Sequence, residues 1–155
     1  MVPETELLEI LQAHAPLVEI GAGTGYWAYR LRLMGTDVLA YDQAPVTSAR
    51  VNRYHAGAAA WTGVREGDER VLAGHRDRTL FICWPPLFSS LGGCLEHYSG
   101  DLVACITDGG YRTARLSGLE DNFDEVLNRR ACALEPAPGR PARFSIWRRR
   151  RPAGY

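Results

Sequence analysis

The sequence predicts an α/β fold, in which a parallel β-sheet is covered on both faces by helices. Short apolar stretches alternate along the chain with helical or irregular segments. Continuously apolar strands are typical of parallel sheets buried on both faces, and the segments between them would form right-handed crossovers. The chain has 155 residues and no internal repeat, so we expect a single domain over 1–155.

The first two predicted elements are a helix and a strand. Leu7, Leu8 and Leu11 recur at the spacing of one helix face, and Pro16 ends this pattern. The apolar run 17–20 then predicts a short strand. Three alternating glycines follow it directly and therefore stand at its carboxyl end.

A second amphipathic helix follows the glycines. Trp27, Leu31 and Met34 share one helix face, and Gly35 is placed to end the helix. Four further stretches predict the rest of the parallel sheet. The first follows this helix, and helical or irregular segments separate each stretch from the next. These strands are predicted at 37–42, 62–68, 79–84 and 101–106.

The end of the chain has a different pattern. Two strand-like stretches, EVLNRRACAL and RFSIWRRR, flank EPAPGRPA, a connection rich in proline and glycine. A connection of this kind suits an antiparallel pair. The predicted fold is therefore one α/β domain with five parallel strands, a C-terminal antiparallel strand pair, and helices on both faces.

The charges balance over the whole chain. There are 18 basic residues, all of them arginine, and 18 acidic residues. No overall field would draw the protein to nucleic acid or to an anionic membrane, so a macromolecular partner would need a local patch. The basic run 148–151 predicts a solvated chain end rather than a docking site for an acidic partner.

The sequence carries no sign of export or of metal binding. The first residues include acids and no basic segment, and no apolar run approaches the length of a membrane span, so we expect a cytoplasmic protein. The cysteines lack C-x-x-C spacing, which favours reduced and mostly buried thiols over a zinc or redox site. They are Cys83, Cys94, Cys105 and Cys132.

The glycine turn is the strongest functional signal. Gly21, Gly23 and Gly25 lie between a strand and a helix, where glycines let the backbone approach a ligand closely and the helix amides favour negative groups. In open α/β sheets, ligands bind at the carboxyl ends of the strands, where the strand order reverses. A dinucleotide fingerprint would place its third glycine at Tyr26, and a phosphate-binding P-loop would need a lysine, so neither motif is present.

With Glu19 two residues before the first glycine, the turn has the pattern acidic-x-Gly-x-Gly-x-Gly. This pattern resembles the first motif of the class I S-adenosylmethionine-dependent methyltransferases, which have a Rossmann-like fold. The resemblance implies that Glu19, Gly21, Gly23 and Gly25 bind the cofactor. It also implies methyl transfer, with S-adenosylhomocysteine as the product.

The resemblance extends along nearly the whole chain. Asp42, in LAYDQAP, matches the acid that closes the second strand in that family and binds the ribose hydroxyls. Asp68, in REGDE, matches the acid that faces the adenine amino group. FICWPP resembles the family's fourth motif and would bring Cys83 beside the cofactor, and the closing strand pair matches the family's reversed hairpin.

Several of these residues also have a simpler structural interpretation. Asp42 could instead be a helix N-cap, and Asp68 follows a glycine in what could be an ordinary turn. The two prolines after Trp84 end a strand by their chemistry alone, and Trp84 itself could be a core residue. The residues 83–86 could instead orient a substrate, because the carbonyls before the prolines lack strand partners.

Methyl transfer from a sulfonium requires positioning more than side-chain chemistry. The catalytic residues are accordingly the least defined, with His55 and Trp84 as candidates and His97 as a further histidine that could act as a base.

The expected acceptor is a small molecule. Two alternatives stay open. One is a catalytically inactive subunit that binds S-adenosylmethionine for a partner. The other is a nucleic-acid base methyltransferase acting on a flipped base through 83–86, which a basic stripe beside the pocket would favour. The sequence leaves the oligomeric state open, a homodimer included.

Overall fold

A computed structural model describes residues 4–50, 54–85, 91–108, 117–131, 142–152 and 154 of this protein. Pro86 and Cys132, which entered the sequence predictions, lie outside the described residues. The described helices are α1 (Glu4–Ala13), α2 (Tyr26–Leu33), a 3-10 helix (Glu69–Gly74), α3 (Leu91–His97) and α4 (Ser117–Asn122). The strands are β1 (Leu17–Ile20), β2 (Val38–Asp42), β3 (Arg65–Glu66), β4 (Thr79–Cys83), β5 (Leu102–Asp108), β6 (Phe123–Ala131) and β7 (Ala142–Arg149).

All seven of these strands form one sheet, in the order β3-β2-β1-β4-β5-β7-β6. β1 pairs in parallel with β2 on one side and with β4 on the other, so the strand order reverses at β1. This reversal creates a crevice beyond the carboxyl end of β1, where ligands bind in open α/β sheets. The predicted position of the glycine turn at this point is confirmed.

The directions of the strands differ in one respect from the prediction. β1 to β5 pair in parallel, and β7 is antiparallel to both β5 and β6. β6 therefore points the same way as β1 to β5, and β7 alone among the described strands is reversed. The α/β fold with antiparallel C-terminal strands is confirmed. The arrangement differs from five parallel strands plus a pair, because all seven described strands belong to one sheet and β7 lies between β5 and β6.

Helices cover both faces of the sheet, as predicted. On one face α1 and α2 bury leucines and Trp27 against Leu17, Phe81 and Phe144. On the other face, the 3-10 helix, α3 and α4 pack against a second cluster. That cluster includes Val18, Leu72, Leu80, Tyr98, Val103, Leu119 and Trp147.

The connection between β2 and β3 is irregular. The predicted third strand, 62–68, is reduced to Arg65–Glu66, and the described residues between β2 and β3 form turns and bends. This connection covers the carboxyl end of β1, and its side chains therefore help to build the site described below.

The cysteines described by the structure are free thiols. Cys94 and Cys105 are buried, and Cys83 is partly exposed at the end of β4. Of the helices in the described ranges, none combines the length and the apolar character that crossing a membrane requires.

Candidate functional site

The glycine turn has a backbone conformation that requires glycine. Gly21, Gly23 and Gly25 have φ angles of 73°, 55° and 77°, in the left-handed region that other residues rarely adopt. A Cβ atom added to Gly21 would meet nothing within 4 Å. The space beside Gly21 is therefore open to a ligand.

Backbone hydrogen bonds hold this turn against its neighbours. The Ala22 N–H donates to the Tyr41 carbonyl oxygen at 3.0 Å, which ties the turn to β2. The Gly25 N–H donates to the Ala22 oxygen at 2.8 Å, closing the turn before α2. α2 then begins without a side-chain cap on its first turn.

The Asp42 carboxylate joins the end of β2 to the glycine turn. Its Oδ2 accepts a hydrogen bond from the Gly23 N–H at 2.8 Å, and its Oδ1 accepts one from the Ala44 N–H at 2.9 Å. Asp42 thus caps a turn rather than a helix, and the N-cap alternative is wrong. An ionised carboxylate has about four acceptor positions. Asp42 therefore retains capacity for further donors such as hydroxyl groups.

Glu19 is a buried acid beneath the turn. Only 1% of Glu19 is exposed, and its Oε2 has no hydrogen-bond partner. Burial raises the pKa of Glu19 from 4.5 to about 8, while the positive charge of Arg32 opposes this shift and the negative charge of Asp42 adds to it. Glu19 is therefore mostly protonated at neutral pH in the free protein.

Cys83 lies at the end of β4, next to Glu19 and Trp27. Burial raises the pKa of the Cys83 thiol well above its usual value, and the negative charge of Glu19 adds to this shift, whereas a hydrogen bond with the Trp27 side chain opposes it. A thiol in such surroundings stays neutral and is a poor nucleophile. Cys83 is therefore poorly suited to act as a nucleophile, and its expected place beside the cofactor stays a prediction.

Trp84 follows β4 in an unusual conformation. Its φ angle is 53°, and it is the only described residue other than glycine with a positive φ. Its side chain packs on the same face of the sheet as Ala22 and Trp27, beside the glycine turn. Its N–H donates to the Ile106 oxygen at 2.9 Å, which holds the end of β4 against β5. Strained residues of this kind cluster at functional sites.

Asp68 interacts with Arg70. It caps the 3-10 helix by accepting a hydrogen bond from the Arg70 N–H at 3.0 Å, and its Oδ2 lies 2.6 Å from the Arg70 guanidinium. The hydrogen bonds from the Arg70 side chain lower the pKa of Asp68 to about 2. A contact between Asp68 and adenine would have to compete with this ion pair, and it stays a prediction.

A cavity of about 560 Å³ opens at the carboxyl ends of β2 and β3, and its lining includes neither Asp42 nor the three glycines of the turn. This volume falls within the range of roughly 300–1,000 Å³ that is usual for small-molecule sites. Gln43, which directly follows Asp42, contributes to its wall, as does Asp68. The lining residues are Gln43, Arg50, Glu66, Gly67, Asp68, Arg70 and Val71.

The irregular connection between β2 and β3 packs onto the glycine turn. A Cβ atom on Gly23 would lie 2.4 Å from His55 Nε2, so the His55 ring rests against this glycine. Thr62 and Val64 occupy the equivalent space beside Gly25. The candidate base His55 is thus brought to the turn, whereas His97 lies in the last turn of α3.

An aromatic cluster borders the same turn. Trp61 donates its backbone N–H to the Thr24 oxygen at 2.9 Å, and its ring lies 5.3 Å from Tyr26 and 5.4 Å from Tyr29, measured between ring centres. Tyr26 stands where a dinucleotide fingerprint has glycine, and its hydroxyl donates to Glu4 Oε1 at 2.6 Å. This cluster could not be predicted from the sequence, because single aromatic residues in different segments form no pattern.

Among the described residues, no group of histidine, cysteine and acidic side chains is placed to hold a metal ion. The basic run 148–151 begins at Arg148, which pairs with Leu102 at the amino end of β5 and therefore lies at the edge of the sheet opposite the glycine turn. Arg150 in this run forms an ion pair with Asp124 at 2.7 Å.

The chain is similar in structure to proteins of very different sequence. Sp1610 of Streptococcus pneumoniae, assigned as a tRNA (m1A22) methyltransferase, shares 13% identity at a TM-score of 0.58, with 100% of this chain and 73% of that one covered. The 16S rRNA (adenine(1408)-N(1))-methyltransferase of Catenulisporales acidiphilia, solved with cosubstrate S-adenosylmethionine, shares 14% identity at a TM-score of 0.50, with 97% and 93% covered. Protein 1320 of Thermoplasma acidophilum shares 16% at a TM-score of 0.61, with 92% and 82% covered.

No protein-family model matches the sequence, and no curated protein matches it either. At the identities of the structural matches, the similarity establishes the fold. This chain has the Rossmann-like α/β fold that S-adenosylmethionine-dependent methyltransferases also have. The resemblance is thus confirmed for the fold, and the residues expected to bind the cofactor remain predictions.

The burial of Glu19 predicts a specific dependence of stability on pH. Between roughly pH 4.5 and pH 8 the folded protein keeps a proton on Glu19 that the unfolded chain releases. Wild-type stability should therefore decrease as the pH rises through this window. Glu19→Gln cannot titrate, so between roughly pH 5 and pH 8 we expect it to gain up to about 4 kcal/mol in unfolding free energy relative to wild type.

Urea unfolding followed by tryptophan fluorescence at several pH values would measure this difference. Glu6→Gln, at an exposed position of α1, is the matched control and should follow the wild-type pH profile. Parallel profiles for wild type and Glu19→Gln would show that Glu19 is ionised in the folded protein and would contradict the prediction.

Proposed function

We propose that this protein is an S-adenosylmethionine-dependent methyltransferase that acts on a base in RNA. Binding of S-adenosylmethionine is supported by one observation, the left-handed turn that is open at Gly21. This turn lies where the strand order of the sheet reverses, and the Gly23 N–H joins it to the Asp42 carboxylate. The second part, the acceptor class, is supported by the RNA substrates in the names of two structural neighbours.

The residues at the crevice fit the cofactor. The open space beside Gly21 would admit its methionine part, and the remaining acceptor positions of Asp42 would receive the two ribose hydroxyls. The cavity beyond Gln43 would take the adenine, with Asp68 at its wall. Glu19, with an unpartnered buried oxygen below the turn, could ionise opposite a positively charged ligand.

The cofactor would supply an electrophilic methyl group, and the chain would mainly have to position the acceptor. Trp84 and Cys83 end the strand that pairs with β1, so an acceptor base beside them would lie next to the glycine turn. The strained backbone of Trp84 supports a role in orienting this base, which could stack on the indole ring. His55, packed against Gly23, is the candidate for removing a proton.

The sequence led us to expect a small-molecule acceptor. The two structural neighbours whose names give a substrate are named for RNA, which speaks against this expectation. That expectation depended on the neutral charge of the chain and on the lack of an evident basic patch. Folding does bring arginines together at the carboxyl edge of the sheet, as described in the next subsection. We therefore favour the nucleic-acid alternative.

Replacing Asp42 should weaken cofactor binding without unfolding the protein. Asp42→Asn keeps an oxygen for the Gly23 N–H but removes the charge that strengthens hydrogen bonds from ribose hydroxyls. A hydrogen bond to a charged group contributes about 1.5–3 kcal/mol, so we expect at least a tenfold increase in the Kd for S-adenosylhomocysteine, measured by calorimetry.

Asp37→Asn is the matched control. Asp37 directly precedes the first residue of β2, at the opposite end of this strand from Asp42, and forms an ion pair with Arg78. Its Kd should equal that of wild type. An unchanged Kd in Asp42→Asn would limit Asp42 to holding the turn.

Methyl transfer to RNA can be measured directly. With S-adenosylmethionine carrying a radioactive methyl group, we expect label in tRNA or ribosomal RNA transcripts and, after nuclease digestion, in a methylated nucleoside. Trp84→Ala should slow this transfer by about tenfold or more, as expected when the acceptor is misplaced, and should leave the Kd for the cofactor unchanged.

Wild-type protein that binds the cofactor but labels no RNA would overturn the RNA part of the proposal. In that case, label recovered in small molecules of a cell extract would restore the small-molecule acceptor, and no label at all would favour an inactive cofactor-binding subunit.

A further inference from the structure

The hairpin of β6 and β7 brings arginines to the same edge of the sheet as the glycine turn. Ala142, at the start of β7, pairs with Asp108 at the carboxyl end of β5 and with Ala131 at the end of β6. Arg130 and Arg143 directly adjoin these end residues, and Arg129 precedes them on β6. These three residues are called the arginine edge below.

Two members of the arginine edge stand directly opposite each other. Arg130 and Arg143 are partners in the antiparallel pairing of β6 and β7, so their side chains leave the same face of the sheet. Like charges at directly opposed positions destabilise a sheet. Arg129 and Arg130 are exposed, and Arg143 is half-buried. A bound anion would remove the repulsion between the two opposed guanidinium groups.

The contacts of the arginine edge do not neutralise its charge. Arg143 donates to Asn128 Oδ1 at 2.9 Å, and Arg129 donates to the Asn128 backbone oxygen at 3.0 Å. Glu125 accepts a hydrogen bond from the Asn128 amide, so this acid is linked to the arginine edge only through Asn128. Among the ion pairs of the described residues, none includes a member of the arginine edge.

The other end of the same hairpin differs. There Arg150 forms an ion pair with Asp124, and Arg149 donates to the oxygens of Tyr98 and Gly100 while lying over the ring of Phe123. Those two arginines stabilise the fold itself. Within the described residues, by contrast, no member of the arginine edge has an acidic side chain as its partner at the end of the sheet where the acceptor would bind.

The distance to the acceptor position suits a polynucleotide. Neighbouring strands lie roughly 4.8 Å apart, so β7 and β6 are about 10 Å and 14 Å from the end of β4 across the sheet. A base at Trp84 would therefore leave its flanking phosphates within reach of the arginine edge. The planar guanidinium matches phosphate geometry with two parallel hydrogen bonds.

We propose that Arg130 and Arg143, on one face of the hairpin, together with Arg129, which leaves the other face of the same edge strand, bind the phosphate backbone of the RNA substrate at the end of the sheet. This inference rests on the proposed function for the class of acceptor. Because the whole chain has no net charge, this local patch would supply the electrostatic attraction that the protein otherwise lacks.

The test compares two double variants that remove the same charge from the two ends of the hairpin. Arg130→Gln with Arg143→Gln changes the arginine edge, and Arg148→Gln with Arg151→Gln changes exposed arginines at the opposite end. Binding to a fluorescein-labelled single-stranded RNA is measured by anisotropy at several salt concentrations, and binding to S-adenosylhomocysteine by calorimetry. Thermal melting and the single variant Arg130→Gln, at an exposed position, control for folding.

We expect the variant of the arginine edge to bind RNA at least tenfold more weakly. The slope of log affinity against log salt should fall by about 1.4, since each phosphate contact contributes about 0.7 for a single strand. Arg130→Gln alone should give about half of this change in slope. The control pair should stay within about twofold of wild type, and all variants should keep wild-type affinity for S-adenosylhomocysteine.

Equal weakening by both pairs, or no weakening by either, would overturn the proposed surface. Wild-type protein that binds S-adenosylhomocysteine but no RNA would also overturn the proposed surface. So would wild-type protein that binds polyglutamate more tightly than RNA. Either result would leave the cofactor function standing. RNA binding through the arginine edge without any cofactor binding would instead sustain the surface and overturn the proposed methyltransferase.

Discussion

The hydrogen bond from the Gly23 N–H to the Asp42 carboxylate is the contact on which the rest of the site depends. It joins the turn after β1 to the end of β2, across the point where the strand order reverses. The bond requires Gly23 to keep a left-handed backbone, and the neighbouring bond from Ala22 to Tyr41 holds the turn in register. One carboxylate thus fixes the shape of the turn at the point where the strand order reverses.

The three glycines have different reasons to be glycine. At Gly23 and Gly25 the space for a side chain is filled by the protein itself, through His55 in the first case and Thr62 and Val64 in the second. Only at Gly21 is the space open. A glycine motif therefore does not by itself report a ligand, because two of its positions here are explained by packing of the connection between β2 and β3.

Much of the fold could be predicted from local patterns, since the apolar stretches and the glycine turn are continuous in sequence. β1 has the predicted bounds, and Asp42 lies at the end of its strand beside the turn. The sequence could not predict the Asp68 ion pair with Arg70, because a turn acid and a nearby arginine form no distinctive pattern. The opposition of Arg130 and Arg143 was also hidden, because it depends on an irregularity between Glu125 and Leu127 that shifts the pairing of β6.

The proposed function requires that the crevice at the end of β1 binds S-adenosylmethionine in preference to a dinucleotide. Calorimetric titration of the wild-type protein with S-adenosylmethionine, S-adenosylhomocysteine and NAD tests it most directly. The open space at Gly21 and the tyrosine in place of a third glycine predict that both sulfur-containing ligands bind and that NAD binds much more weakly. Tighter binding of NAD, or no binding of any of the three ligands, would contradict this account.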